Sequence, residues 1–300
     1  MPAILSNQVI DPLKKLGKGK DSTVYMAELD GLAVAMKCFL DEQSRDRELR
    51  KHMRIQRMLI GQRSIARVFG ARTLYSFDGH PEYHCIVFRL EGPTMEKQLT
   101  SDNPPSVSKV LESARQLLAA LSDIHNSGFH HNDINTNNIL QRLEGGGYVI
   151  VDLGESELSG SEISEGDRRH SQYSPPDQNI DDRGSFDVAS IGSIIVELFV
   201  WGILGGDNAV EVLRGFRKER EDDQVKHQLD EKFSDRTERF YIDDKRLSPS
   251  VEKWLGRLEK VYPEIVVVLQ GMLLVNPDER LAARDAFVLF DDAFQQIKAM

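Results

Sequence analysis

From Asp187 to Trp201 the chain is apolar on nearly every side of a helical wheel, and a helix of that kind is normally buried. Covering it all round requires a large core, which 300 residues allow, with room for one large or two modest domains. An apolar fraction of 40%, with 22 glycines beside it, lies near the globular norm of roughly 45–50% and excludes general disorder. The 38 basic and 48 acidic side chains leave a net charge of −10, which argues against a polyanion-binding surface over the whole molecule, so no nucleic acid partner is expected. Only Cys38 and Cys85 are present and no signal-peptide pattern precedes Leu13, so a reducing compartment, cytoplasmic or nuclear, is expected. No run approaches the roughly 18 apolar residues of a membrane span, and no membrane partner is expected.

The hydrophobic period changes along the chain. Short β-prone pieces end at Leu16 and run over Thr23 to Leu29 and Leu32 to Phe39, with Asp30-Gly31 as a hairpin turn. Ser44 to Ile60 is charged but places Leu49, Met53 and Ile60 at near-helical intervals, which predicts one amphipathic helix. Two further strands are expected over Ile65 to Tyr75 and Tyr83 to Leu90, giving a small lobe of five strands and one helix. Beyond Glu91 the pattern is helical. Val107 to His125 puts Val110, Leu111, Ala114, Leu117, Leu118 and Leu121 on one face, and short strands flank Gly145-Gly146-Gly147. The lobe boundary is expected near Arg89 to Gly92. The charge-dense stretch Arg217 to Arg246 is expected to be a solvated helix and loop.

The Gly-rich turn Gly17-Lys18-Gly19-Lys20-Asp21-Ser22 could bring backbone amides to phosphate oxygens or simply close a tight hairpin. A dinucleotide-binding turn would run into a helix, whereas here Thr23-Val24-Tyr25-Met26 continues as a strand. Lys37 closes Val34-Ala35-Met36-Lys37 on a strand running back beside this turn. More specific is His131-Asn132-Asp133-Ile134-Asn135-Thr136-Asn137-Asn138, followed by Asp152-Leu153-Gly154 after the apolar strand Tyr148 to Val151. This is a metal-assisted phosphoryl-transfer set. Asp152 can bridge hard cations on a nucleotide, the carboxamide oxygen of Asn138 can ligate a second, and Asp133 can orient a hydroxyl and accept its proton.

With these residues in this order the chain resembles the eukaryotic-type protein kinase family, from about Leu16 to Phe294. The resemblance implies an α+β, bilobal fold with a small β-rich N-lobe and a larger, mainly helical C-lobe. It implies one kinase domain over residues 1–300, the N-lobe about 1–90 and the C-lobe about 91–300. It also implies ATP and Mg²⁺ as cofactors and Ser/Thr hydroxyls of protein substrates as acceptors. Catalytic roles then fall to Asp133, Lys37, Asn138 and Glu48, and metal ligation to Asn138 and Asp152. Leu16, Gly17 and Gly19 would cover the nucleotide and Lys37 would meet its phosphates. Val24, Ala35 and Leu140 would sandwich the purine, while Phe88 acts as gatekeeper and the backbone of Arg89 and Glu91 faces adenine. Asp187 would accept backbone hydrogen bonds from the catalytic loop. Tyr173-Ser174-Pro175-Pro176-Asp177 resembles the close of the activation segment, with Arg280 of Asn276-Pro277-Asp278-Glu279-Arg280 as the partner of Asp177.

Departures from the family qualify this assignment. The positions three and four beyond Glu48 are Lys51 and His52, where apolar side chains are usual. Asn132 replaces the arginine that grips a phosphate on the activation segment, so activity without phosphorylation there is expected, the more so since Glu155 to Asp167 is already acidic. Two alternatives stand beside the Ser/Thr kinase: a small-molecule phosphotransferase, because His131-Asn132-Asp133 is similar to the choline kinase loop, and a nucleotide-binding pseudokinase acting as an allosteric partner.

Overall fold

Asp30 and Gly31 both take left-handed backbone angles, φ 51° and 78°, the geometry that lets two residues close a hairpin without splaying its strands. They join β2 (Ser22–Leu29) to β3 (Leu32–Phe39) in unbroken register from Ser22↔Phe39 to Leu29↔Leu32. With β1 (Pro12–Lys18), β4 (Val68–Tyr75) and β5 (Pro81–Arg89) they form an antiparallel sheet of order β1-β2-β3-β5-β4. The computed structural model describes residues 12–19, 21–58, 65–75, 81–144, 146–158, 172–176, 183–227, 239–243 and 245–299.

The strand expected from Ile65 begins at Val68. Ile65 itself makes an isolated bridge to Ile150, and Ala66 N–H donates to Ile150 O, so this stretch stitches the sheet to the second lobe. The helix expected from Ser44 is α1 (Glu42–Met58), which starts earlier because the Asp41 carboxylate accepts the N–H groups of Gln43 and Ser44 at 3.2 and 2.8 Å. Its buried residues are Arg45, Glu48, His52 and Ile55. Three of these four are polar, which explains why its apolar period is faint.

The second lobe is built around α4 (Arg183–Phe199), which continues through a π-helical turn at Val200–Leu204. The helical stretch Gly184–Leu204 is long and apolar enough to cross a membrane by length and composition, a run the sequence was not expected to contain. However, 89% of its most apolar window is buried in the protein, where it serves as the core helix. Against it pack α3 (Val107–Asn126), α7 (Pro263–Met272) and α8 (Ala283–Ala299), and the expected apolar face of α3 is buried throughout. Further along the chain, α5 (Ala209–Lys226) packs on the π-helical turn and on α6 (Pro249–Glu259).

Between α3 and α4 lie the strands that carry the polar residues of interest. These are β6 (Phe129–His130), β7 (Ile139–Gln141), β8 (Tyr148–Ile150) and β9 (Glu157–Leu158), paired as β6 with β9 and β7 with β8. The chain crosses between lobes at residues 90–94. There Gly92 N–H donates to Gln141 O at 2.7 Å, and a Cβ at Gly92 would lie 2.9 Å from that same oxygen. Only glycine permits the approach.

Candidate active site

Strand alternation on β3 turns Lys37 away from the solvent side and toward α1, where it is 8% exposed. Its ammonium donates to both carboxylate oxygens of Glu48, at 2.9 and 2.8 Å, and to Asp152 Oδ1 at 2.8 Å. Burial by itself would lower the Lys37 pKa, but the Glu48 and Asp152 charges outweigh it and hold it above the ordinary lysine value. Burial would likewise raise Glu48, and the His52 ring and Lys37 pull it below the ordinary carboxylate value. The same contest leaves Asp152 lowered, with Lys37 as the main opponent of burial. All three groups are therefore charged at neutral pH.

Asp152 follows β8 in a left-handed conformation, φ 64°, and Gly154 N–H reaches its Oδ1 at 3.3 Å. A Cβ on Gly154 would stand 3.1 Å from that oxygen. Below it, His131 is fully buried, with Nε2 2.9 Å from Val151 O and Nδ1 3.2 Å from Asp133 N–H. Through these two contacts the ring ties the start of the 131–138 segment to Val151, the residue before Asp152. Asn138 Nδ2 donates to Asp133 O and Oδ2 at 2.8 and 2.9 Å, and Asn135 Nδ2 donates to Asp133 O and Oδ1 at 3.2 and 3.1 Å. Burial, with the Asp152 charge adding to it, pushes the Asp133 carboxyl above its ordinary value. That suits a proton acceptor.

A cavity of about 120 Å³ is lined by Gly19, Ser22, Lys37, Glu48, Asp133 and Asp152 among others; Asn138 is not in its lining and is bonded to Asp133. The remaining expected nucleotide contacts do not line it; all but Glu91 lie on strands, and Glu91 sits where the chain crosses between the lobes. Gly17 pairs with Val24, Ala35 with Phe88, and Val34 with Arg89. Leu140 bridges Thr94, and Leu16 is 47% exposed at the open edge. Arg89 N–H is taken by Arg67 O at 2.8 Å, and the Glu91 carboxylate accepts Leu143 N–H at 3.4 Å. Phe88 closes the inner end, edge-on to His52 at 4.9 Å between ring centres.

The donor set fits Mg²⁺ and a nucleotide. Asp152 Oδ1 takes Lys37 and Gly154 N–H, which leaves Oδ2 for a cation among the described residues. The Asn138 amide nitrogen is spent on Asp133, which leaves its carbonyl oxygen as a hard ligand.

Several participants escaped the sequence reading. Lys51 donates to Gly154 O at 2.6 Å, and His52 Nε2 stands 3.6 Å from Glu48 Oε1, so the two polar residues beyond Glu48 both face the site. The expectation of a solvated Arg217 to Arg246 fails at its start. Arg220 is fully buried and pairs with Glu197 at 2.5 Å, while Arg217 forks onto Glu197 and Glu96. Glu96 Oε2 also accepts from Thr136 Oγ1 at 2.8 Å, three residues beyond Asp133, and Tyr173 OH donates to Glu197 at 2.9 Å. The available signal was Glu197 itself, the one charge inside the apolar helix after Asp187, since a buried carboxylate needs cationic partners. The expected Arg280–Asp177 pair lies outside the described residues, as does most of Glu155 to Asp167. Arg280 Nε and Nη2 donate to Leu274 O and Val275 O at 2.5 and 2.9 Å.

A family profile described as "Protein kinase domain" matches residues 10–288. Over 205 residues the chain is 29% identical to "Cyclin-dependent kinase 12" of Caenorhabditis elegans, covering 66% of this chain and 27% of that protein. It is 26% identical over 161 residues to "Serine/threonine-protein kinase Kist" of Mus musculus and of Homo sapiens, 49% of this chain and 38% of theirs. The chain thus spans well under half the length of these curated relatives. The profile runs through every element that brings Lys37, Glu48, Asp133, Asn138 and Asp152 together between two lobes, and the chain belongs to the protein kinase family.

Proposed function

We propose that this protein is a Mg²⁺-dependent serine/threonine protein kinase, a single catalytic domain over residues 1–300 that moves the γ-phosphoryl group of ATP to a protein hydroxyl. The observation that carries this reading is the pairing of Lys37 with both Glu48 and Asp152 beside Asp133, four charged groups meeting at one cavity between the lobes. Lys37 would contact the nucleotide phosphates, and Asp152 with Asn138 would hold the metal, whose charge offsets that developing on the transferred group. Asp133, fixed by two carboxamides, would orient the acceptor hydroxyl and take its proton. Val24, Ala35 and Leu140 would enclose the purine behind Leu16, Gly17 and Gly19. Phe88 would close the back, and the backbone of Arg89 and Glu91 would face adenine.

Serine and threonine are favoured as acceptors by the printed names of the Kist relatives. Incubation of purified protein with labelled ATP, Mg²⁺ and generic protein substrates tests the reading. Label on serine or threonine that vanishes in Asp152→Ala supports it. Label appearing only on a small alcohol, or nucleotide binding without transfer, contradicts it.

A further inference from the structure

The turn after the metal-site aspartate is anchored carbonyl by carbonyl. Leu153 O accepts Ser156 Oγ at 2.7 Å, Gly154 O accepts Lys51 Nζ at 2.6 Å, and Glu155 O accepts Asn132 Nδ2 at 3.1 Å. Immediately afterwards β9 pairs with β6, Glu157 opposite His130 and Leu158 opposite Phe129. Three successive peptide oxygens are thus fixed by three side chains from three places: the turn itself, α1 of the small lobe, and the catalytic loop. Lys51 and Asn132 are also two of the positions at which this sequence departs from its family.

Each departure has a local physical reason. Asn132 has φ 65°, a left-handed conformation that asparagine tolerates better than most side chains. It is held there by its N–H on Asp187 Oδ1 at 2.8 Å, which leaves its short carboxamide in reach of Glu155 O. Lys51 lies three residues beyond Glu48, on the same side of α1. One helix therefore delivers the carboxylate that pairs Lys37 and the ammonium that grips the Asp152 turn. Moving α1 outward would break both contacts together.

We propose that Lys51 and Asn132 are positioning residues that clamp the main chain of Gly154 and Glu155, so that Asp152 is held for metal binding with no phosphate on the following segment. Both donors go to uncharged main-chain carbonyls, so the clamp as it stands uses no phosphate. This proposal rests on the phosphoryl-transfer reading for its kinetic consequence. Its structural consequence, a protected turn, does not.

The test uses the full chain treated with phosphatase, with intact mass confirming that no phosphate remains. Dephosphorylated wild type is expected to keep its rate within about two-fold. Lys51→Met and the isosteric Asn132→Asp, which removes the donor, are each expected to lower kcat about ten-fold or more and to raise the Mg²⁺ concentration for half-maximal rate. Lys51→Arg, which keeps a donor, is expected to recover most of the loss. Independently of activity, hydrogen exchange at Gly154 to Ser156 should quicken at least ten-fold in Lys51→Met and Asn132→Asp. A residue that merely supports the fold would lower the melting temperature with Mg²⁺ dependence and local exchange unchanged, which would overturn the proposal. So would a dephosphorylated wild type that is inactive but recovers on phosphorylation. Should Lys51→Met not fold, Asn132→Asp at a part-exposed position carries the test. A wild type inert under every condition sinks the kinase reading, and the exchange measurement still decides the clamp.

Discussion

The Asp187 carboxylate holds the main chain of His131, accepting its N–H at 2.6 Å across 56 residues of sequence. His125 Nε2 approaches that same oxygen, Oδ2, at 3.0 Å, and the other oxygen, Oδ1, takes Asn132 N–H at 2.8 Å. Burial would raise this carboxyl, but His125 and the loop amides hold it below the ordinary aspartate value, so it stays an acceptor on both oxygens. Asp187→Asn leaves one oxygen facing several donors. Steady-state kinetics are expected to show kcat reduced about 10- to 100-fold, roughly 1.4–2.8 kcal/mol of barrier, with the KM for ATP nearly unchanged.

Glu48→Gln keeps the shape of α1 and removes the charge that pairs Lys37. The rate is expected to fall about 10- to 100-fold, while Lys37→Met, which also loses the contact to Asp152, is expected to fall further. Glu48→Gln at full activity would remove Glu48 from the catalytic set.

The Asp133 carboxyl is raised by burial, and it must be ionised to accept a proton. Its rate contribution is present above its own pKa and lost as pH falls through it. The kcat profile is therefore expected to show a one-proton acid limb centred above the ordinary aspartate value of about 3.9. A flat rate down to that value, in protein shown to be folded by circular dichroism, would count against the assignment.

Glu197 carries a stability prediction. Burial would push its carboxyl up, yet Arg220 and Arg217 bring it from 4.5 down to about 2. A depressed carboxylate contributes stability above its unfolded value, here 4.5, and loses it as pH falls toward about 2. Glu197→Gln is expected to cost on the order of 3 kcal/mol at pH 7 by urea denaturation. The gap from wild type should narrow across that acid window. A constant gap would mean that the guanidinium contacts do not set the Glu197 pKa.

How much of this was legible in the sequence differed by the kind of signal. Asp133, Asn138 and Asp152 are fixed by short spacing around strands, and the five-strand sheet is marked by alternation and by Asp30-Gly31. The register of α1 was harder, because its buried face is Arg45, Glu48, His52 and Ile55. Polar residues there look misplaced until their partners are known: Glu48 on Lys37 and, one turn on, Lys51 on Gly154 O. Arg217 and Arg220 were illegible for a related reason. In a stretch where charges of both signs alternate, nothing local separates a solvated arginine from one that neutralises Glu197, and only the fold brings α5 against α4.

The central claim is that Asp133, Asn138 and Asp152 converge on one metal-loaded nucleotide between the lobes. Crystals grown with Mn²⁺ and a non-hydrolysable ATP analogue test it most directly, through anomalous scattering. The expected result is manganese bound by an Asp152 oxygen and the Asn138 carbonyl oxygen, with phosphate oxygens completing the shell and Asp133 facing the terminal phosphate. Nucleotide bound elsewhere, or manganese absent from both side chains in a nucleotide-filled cleft, would contradict it.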